Sequence, residues 1–190
     1  TDERRKYAQV AHEFLIEQLQ FTGAESFSQT SVRQRLNFNH PCKELIWVTQ
    51  LDANVEDVAT AGGDANRWTD FTDNGSGPNP YNGDDPLVDA KLQLNGHDRF
   101  STRKAGYFNL VQPYQHHTRG PATGIYVYSF ALKPEEHQPS GTLNMSRIDT
   151  AVLNLDVTSS MTGSKNLHVY AVNYNVLRIL SGMGGLAYSN

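Results

Sequence analysis

The residues in this chain with the means to do chemistry are two short clusters of histidine and carboxylate. His116 and His117 are the only adjacent histidines. A metal site needs several ligands converging on one point. Neighbouring residues of an extended segment point to opposite sides, so this pair seldom shares an ion. A metalloenzyme on a β-barrel would want His-x-His, and that triplet does not occur. Glu135-Glu136-His137 has the composition of a zinc-hydrolase helix without its spacing, and Pro134 and Pro139 bound it. No helix face there can present two ligands.

Other candidates fall on similar grounds. Asp70, Asp73, Asp84 and Asp85 sit in a polar stretch, but without the alternating spacing of a calcium loop. Gly75-Ser76-Gly77 lacks the strand-to-helix context of a serine nucleophile. Cys42 has only His40 and Lys43 as basic neighbours in sequence and reads as an inert thiol. Gly182-Met183-Gly184-Gly185 opens no helix that would cradle a phosphate. The sequence therefore predicts no catalytic residue, no metal ligand, no cofactor and no enzyme.

Composition narrows the classes further. A chain of 190 residues predicts one domain with a sizeable core. Its net charge of −4 argues against a phosphate-binding surface, and so against direct contact with nucleic acid. The one cysteine cannot form an internal disulfide, which suits folding in a reducing compartment. No apolar run is long enough for a membrane-spanning helix, the first ten residues lack a signal-peptide core, and no membrane insertion is expected.

The elements that must position these residues read as strands. Turn formers separate segments at 12–25, 31–38, 44–51, 87–97, 124–132, 147–157, 166–175 and 176–188. A short helix within 101–117, capped by Ser101 or Thr102 and ended near Pro113, is the one helical expectation. Residues 52–86 form a long polar loop rich in Gly, Pro and Asn. Eight antiparallel strands predict an all-β jelly-roll sandwich. In standard order the first, eighth, third and sixth strands share one sheet, and the second, seventh, fourth and fifth share the other.

Two of these segments are greasy on both sides. In 124–132, Tyr126, Tyr128 and Phe130 oppose Ile125, Val127 and Ala131; in 166–175, His168, Tyr170, Val172 and Tyr174 oppose Leu167, Val169 and Ala171. A strand that is apolar on both faces is covered on both. One cover is the domain's own second sheet. The other is expected to be a neighbour, with Tyr126, Tyr128, Phe130, His168, Tyr170, Val172 and Tyr174 as the candidate packing interface.

Several motifs resemble one family. They are Phe130-Ala131-Leu132-Lys133-Pro134-Glu135-Glu136-His137-Gln138-Pro139-Ser140-Gly141-Thr142 with Ser146-Arg147-Ile148-Asp149, then Leu94-Asn95-Gly96-His97-Asp98-Arg99-Phe100, and the C-terminal Asn173–Arg178 with Ser181–Asn190. This pattern is similar to the major capsid proteins of large nucleocytoplasmic DNA viruses, of the chlorella-virus and algal-virus type. It covers most of residues 87–190, and the first 86 match less specifically. Where the family often has Cys after Thr142, this chain has Leu143.

The resemblance implies two jelly rolls in tandem, of which this chain is the C-terminal one: residues 1–10 a linker remnant, 11–190 the domain. It implies a structural, virion protein that forms homotrimers and tiles an icosahedral shell assembled in the host cytoplasm. Partners would be neighbouring subunits, the N-terminal jelly roll and minor capsid proteins. A jelly-roll carbohydrate-binding module, stacking sugars on Trp68 or Tyr81, is the alternative reading.

The sequence holds the sequons Asn74-Gly75-Ser76 and Asn144-Met145-Ser146. Asn74 lies in the long loop, where a glycan has room, whereas Asn144 abuts a strand. Peptide mapping of native material is expected to find a glycan mass on the Asn74 peptide; an unmodified Asn74 would rule that glycan out.

Overall fold

The computed structural model describes residues 2–55, 67–73 and 83–188. In chain order these form α1 (Asp2–Gln9), β1 (His12–Phe27), β2 (Ser31–Leu36), β3 (Pro41–Leu51), β4 (Leu87–Leu94), β5 (His97–Asp98) and β6 (Arg103–Lys104). A π-helical turn (Tyr107–Val111) runs into α2 (Gln112–His116). Then come β7 (Ile125–Ser129), β8 (Leu143–Asn144), β9 (Ala151–Val157), β10 (Lys165–Leu180) and β11 (Met183–Leu186).

The strands build two antiparallel sheets. Sheet one has the order β1-β10-β3-β7, with β11 on β10 and β8 on β3. Sheet two has the order β2-β9-β4-β5, with β6 on β4. This is a jelly roll. Sheet two follows simple alternation: Leu92, Leu153 and Leu155 point into the core, while register pairs Arg33 with Asn154 and Asn154 with Lys91 on the outer side. One face is apolar and the other wet.

The strands differ from expectation at the C-terminal end and in the short added strands β5, β6 and β8, and the partition between sheets shifts with them. Segments 166–175 and 176–188 are not two strands. Residues 165–180 are one strand, and Ser181 (φ 52°) with Gly182 (φ 79°) then turns the chain into β11. Two successive positive φ values make the tight hairpin turn whose twist suits antiparallel strands. Asn95 (φ 51°) and Gly96 (φ 82°) likewise end β4 at Leu94 and start β5. The short β5 and β6 thus take the fifth place. Strand 124–132, shortened to β7, moves to the sixth, and 147–157, shortened to β9, to the seventh. The two greasy strands do share a sheet, but beside β1 and β3, and β3 lies between them.

The helix also sits later than predicted. Residues 103–104 are strand, no side chain caps the helix, and Pro113 lies in the first turn of α2, where proline is tolerated, instead of ending it.

This helical segment has a job at the sheet edge. Among the described strands β7 has β3 as its one neighbour, leaving its other edge open. Asn109 Nδ2 donates to the carbonyls of Ala122 (3.2 Å) and Ile125 (2.9 Å), and Gln112 Oε1 accepts from the Ser129 N–H (3.0 Å). Side-chain amides thus stand in for a neighbouring strand and close the edge to foreign pairing. Phe108 is fully buried, its ring edge-on to Trp47 at 5.1 Å and tilted on Phe100 at 5.6 Å. Phe108→Ala is expected to cost about 3–5 kcal/mol in urea denaturation. A loss below about 1 kcal/mol would show that Phe108 does not plug the sandwich.

Candidate packing surface

The outer face of sheet one is built by register. Across it, Phe21 pairs with Tyr170 and Tyr170 with Ile46; Leu19 pairs with Val172 and Val172 with Glu44. The Phe21 ring stacks on Tyr170 at 4.7 Å and on His168 at 5.7 Å. Leu15, Leu19 and Phe21 are 53%, 64% and 46% exposed. Burial holds His168 below the usual histidine pKa, so it adds no charge to this patch near neutral pH. Apolar side chains in a contiguous exposed row mark a contact site.

The predicted interface residues divide between two locations. Tyr126 and Tyr128 are 0% and 7% exposed and face inward. Their register explains it: Tyr126 pairs with Trp47 and Tyr128 with Leu45, both core residues. Tyr128 packs on Phe100 at 4.8 Å and on Phe130 at 5.2 Å, and Phe130 leans on the same core. The Tyr126 hydroxyl donates to the Asp85 carboxylate and accepts from the Leu87 N–H, which pins the end of the long loop. Burial first, then that carboxylate, raises the phenol's pKa. These three rings therefore belong to the domain's own packing, a correction to the sequence reading. Bulk was the overlooked signal: the face with the larger residues fills the core, and the opposite face carries Val127 and Ser129.

The other four lie on the outer side of β10. His168, Tyr170 and Val172 are half-buried and open to a neighbour. Tyr174 is 6% exposed because the chain covers it. The Lys43 ammonium lies 5.1 Å from its ring centre, and donates to Glu17 Oε1 and to the Pro134 carbonyl, each at 2.6 Å. Lys43 is 2% exposed, a buried charge that needs this pairing. Sequence reasoning missed Lys43 and Glu17. They strap the proline-bounded loop across the sheet.

The candidate chemical groups act as fasteners. His116 Nδ1 and the Leu132 carbonyl are 2.9 Å apart, and His117 Nε2 meets Glu44 Oε2 at 2.7 Å. Glu135 accepts from the Thr118 N–H at 2.9 Å, and that bond lowers its pKa. Asp70 accepts from the Thr72 N–H and hydroxyl and pairs with Arg67 at 3.2 Å. Asp73 accepts from the Asp84 N–H at 2.6 Å and from the Ser160 hydroxyl. Cys42 is fully buried, and burial pushes its thiol pKa up to about 12. Among the described residues no group of three or more His, Cys, Asp or Glu is placed to hold a metal.

Asn144 caps the turn at 145–147, its side-chain Oδ1 accepting from the Ser146 N–H at 3.1 Å, while the Ser146 hydroxyl accepts from the His40 N–H. Trp68 is 63% exposed. Asn74 and Tyr81 lie outside the described residues.

The described polar groups of this jelly roll tie its own loops, and the β1–β10 part of the outer face of sheet one is exposed and apolar. Comparison with known proteins places this domain. Residues 3–185 match the family described as "Large eukaryotic DNA virus major capsid protein". The chain is 45% identical to the major capsid protein of Phaeocystis pouchetii virus and 46% identical to that of Paramecium bursaria Chlorella virus 1. Each match covers 100% of this chain, and 51% and 52% of those proteins. The solved structure of PBCV-1 VP54, fitted into a reconstruction of the virophage Sputnik, superposes with a TM-score of 0.77 at 42% identity, over 100% of this chain and 55% of that one. This chain belongs to the major capsid protein family of large eukaryotic DNA viruses. It spans about half the length of the curated relatives it matches.

The His117–Glu44 contact gives a pH signature. The Glu44 hydrogen bond raises the His117 pKa; burial opposes the rise, and the charges of Glu44 and Glu135 add to it. A raised folded-state pKa means the contact stabilises fully below about 6.5, the unfolded value, and fades as pH climbs through the folded one. The melting-temperature gap between wild type and His117→Gln is expected to be wider near pH 5.5 than near about pH 9. A gap that widens with pH would contradict this.

Proposed function

We propose that this chain is one jelly roll of a major capsid protein and that its role is structural: to pack against other jelly rolls in a viral shell. The carrying observation is the outer face of sheet one, where Leu19, Phe21, Tyr170 and Val172 form an apolar row with no cover among the described residues. Sheet two, by contrast, turns Arg33, Lys91 and Asn154 outward. Permanent interfaces bury roughly 2,000–5,000 Å² and are rich in aromatics. Family membership supports the reading, since the matched relatives are capsid proteins. In the finer form of the proposal the subunits are trimers that tile an icosahedral shell, a tandem jelly roll shares the polypeptide, and α1 belongs to the linker.

The test uses the full-length protein. Wild type is expected to give trimers or larger species by size-exclusion chromatography with light scattering at micromolar concentration. Leu19→Glu with Tyr170→Glu is expected to give monomers with an unchanged circular dichroism spectrum. Arg33→Ala, on the wet face, is expected to assemble normally. Wild type that stays monomeric would overturn the proposal.

A further inference from the structure

The segment that closes the β7 edge is apolar on its solvent side. Between Tyr107 and His116 it turns Phe108, Asn109, Gln112 and Pro113 inward. Leu110, Val111 and Tyr114 are instead 66%, 41% and 90% exposed. An ordinary surface helix is polar on that face. The π-helical turn, in which the Gln112 N–H reaches back to the Tyr107 carbonyl, winds one residue more than an α-turn. Such turns are frequent at functional sites.

These side chains do not stand on a flat surface. Residues 109–111, 113–114 and 117–120 line a concave cavity of about 620 Å³, so one short stretch of chain supplies the whole lining. That is the size of a small-molecule site, whereas a stable protein partner needs a face of about 800 Å². Hydrogen bonding by the lining is nearly all committed. Asn109 Nδ2 donates to the Ala122 and Ile125 carbonyls. The Thr118 N–H and hydroxyl both hold Glu135. His117 meets Glu44 through Nε2, and its Nδ1 is shielded from solvent. Arg119 is the one lining residue of fixed charge, and it makes no hydrogen bond or ion pair among the described residues. Glu135 feels that charge but is itself bound to Thr118. An apolar wall with one uncommitted cation complements a molecule with an apolar body and one anionic group.

We propose that this cavity binds a small amphipathic carboxylate, its apolar body against Leu110, Val111 and Tyr114 and its anionic group on Arg119. The site shares no residue with the outer apolar row of sheet one, so its failure would leave the packing proposal untouched.

The lining also offers a place for a plug. Gly120 has open space where a Cβ would stand and a φ outside the left-handed region, so a larger side chain there fills the cavity without backbone strain. Assembled full-length protein is titrated with decanoate, decylammonium and decanol in their soluble, micelle-free range. Binding is read by isothermal titration calorimetry and by ligand-observed saturation-transfer NMR. Decanoate is expected to bind with a Kd of roughly 0.1–1 mM, and the other two at least about tenfold more weakly. Arg119→Gln is expected to weaken decanoate by about tenfold and leave decanol unchanged. Gly120→Leu is expected to abolish binding of all three, with an unchanged circular dichroism spectrum and unchanged assembly. Leu110→Ser, at an exposed position, gives a second reading: decanoate weakened by about fivefold or more supports the site, and an unchanged Kd counts against it. Equal affinity for the three probes, or decanoate binding that survives Arg119→Gln or Gly120→Leu, would overturn the proposal. So would the absence of decanoate binding in wild type, whether the cavity stays empty or a protein neighbour fills it.

Discussion

Everything in this fold hangs on β10 being apolar on both faces while lying between β1 and β3. Its inward residues Leu167, Val169 and Ala171 complete the domain's own core. Its outward residues His168, Tyr170 and Val172, with Phe21 and Leu19 beside them, are not needed for that core. At about 25 cal/mol per Å² of apolar surface, leaving such a row wet forgoes stabilisation that only a neighbour can supply. A domain built this way has a core closed by its own two sheets and an apolar row left over on the outer side. The polar inventory fits the same account, since His116, His117, Glu135 and Lys43 are all spent on holding loops to the sheet.

The two edges of sheet one are treated differently. The β7 edge is closed by Asn109 and Gln112, so it cannot recruit a foreign strand. Among the described strands the β1 edge, 16 residues long and next to the exposed row, has no further neighbour. A bulge between Phe21 and Ala24 breaks the regular ladder there. The surface that is left available and the edge that is left open lie on the same side of the molecule.

Much of this was legible in the sequence. Alternation in 31–38, 87–97 and 147–157 gave the wet face of sheet two, because one polar side forces the direction of the other. The strands at 124–132 and 166–175 could be recognised as double-faced, but alternation is silent on which apolar face points inward. Register decides that, and register depends on residues distant in sequence: Trp47 beside Tyr126, Phe21 beside Tyr170. The merging of the last two strands was hidden for a related reason. Ser181-Gly182 turns the chain, whereas the residues before it, Val176 to Leu180, continue the strand without a break. Lys43 was invisible because a buried lysine is indistinguishable from a surface one until Glu17 and Pro134 are brought to it.

The central claim is that a neighbouring jelly roll covers the outer face of sheet one. An electron cryomicroscopy map of the assembled full-length protein, at a resolution that shows side chains, measures this directly. The account predicts Leu19, Phe21, Tyr170 and Val172 in van der Waals contact with an adjoining barrel. Those four side chains standing in solvent within an intact assembly would contradict it.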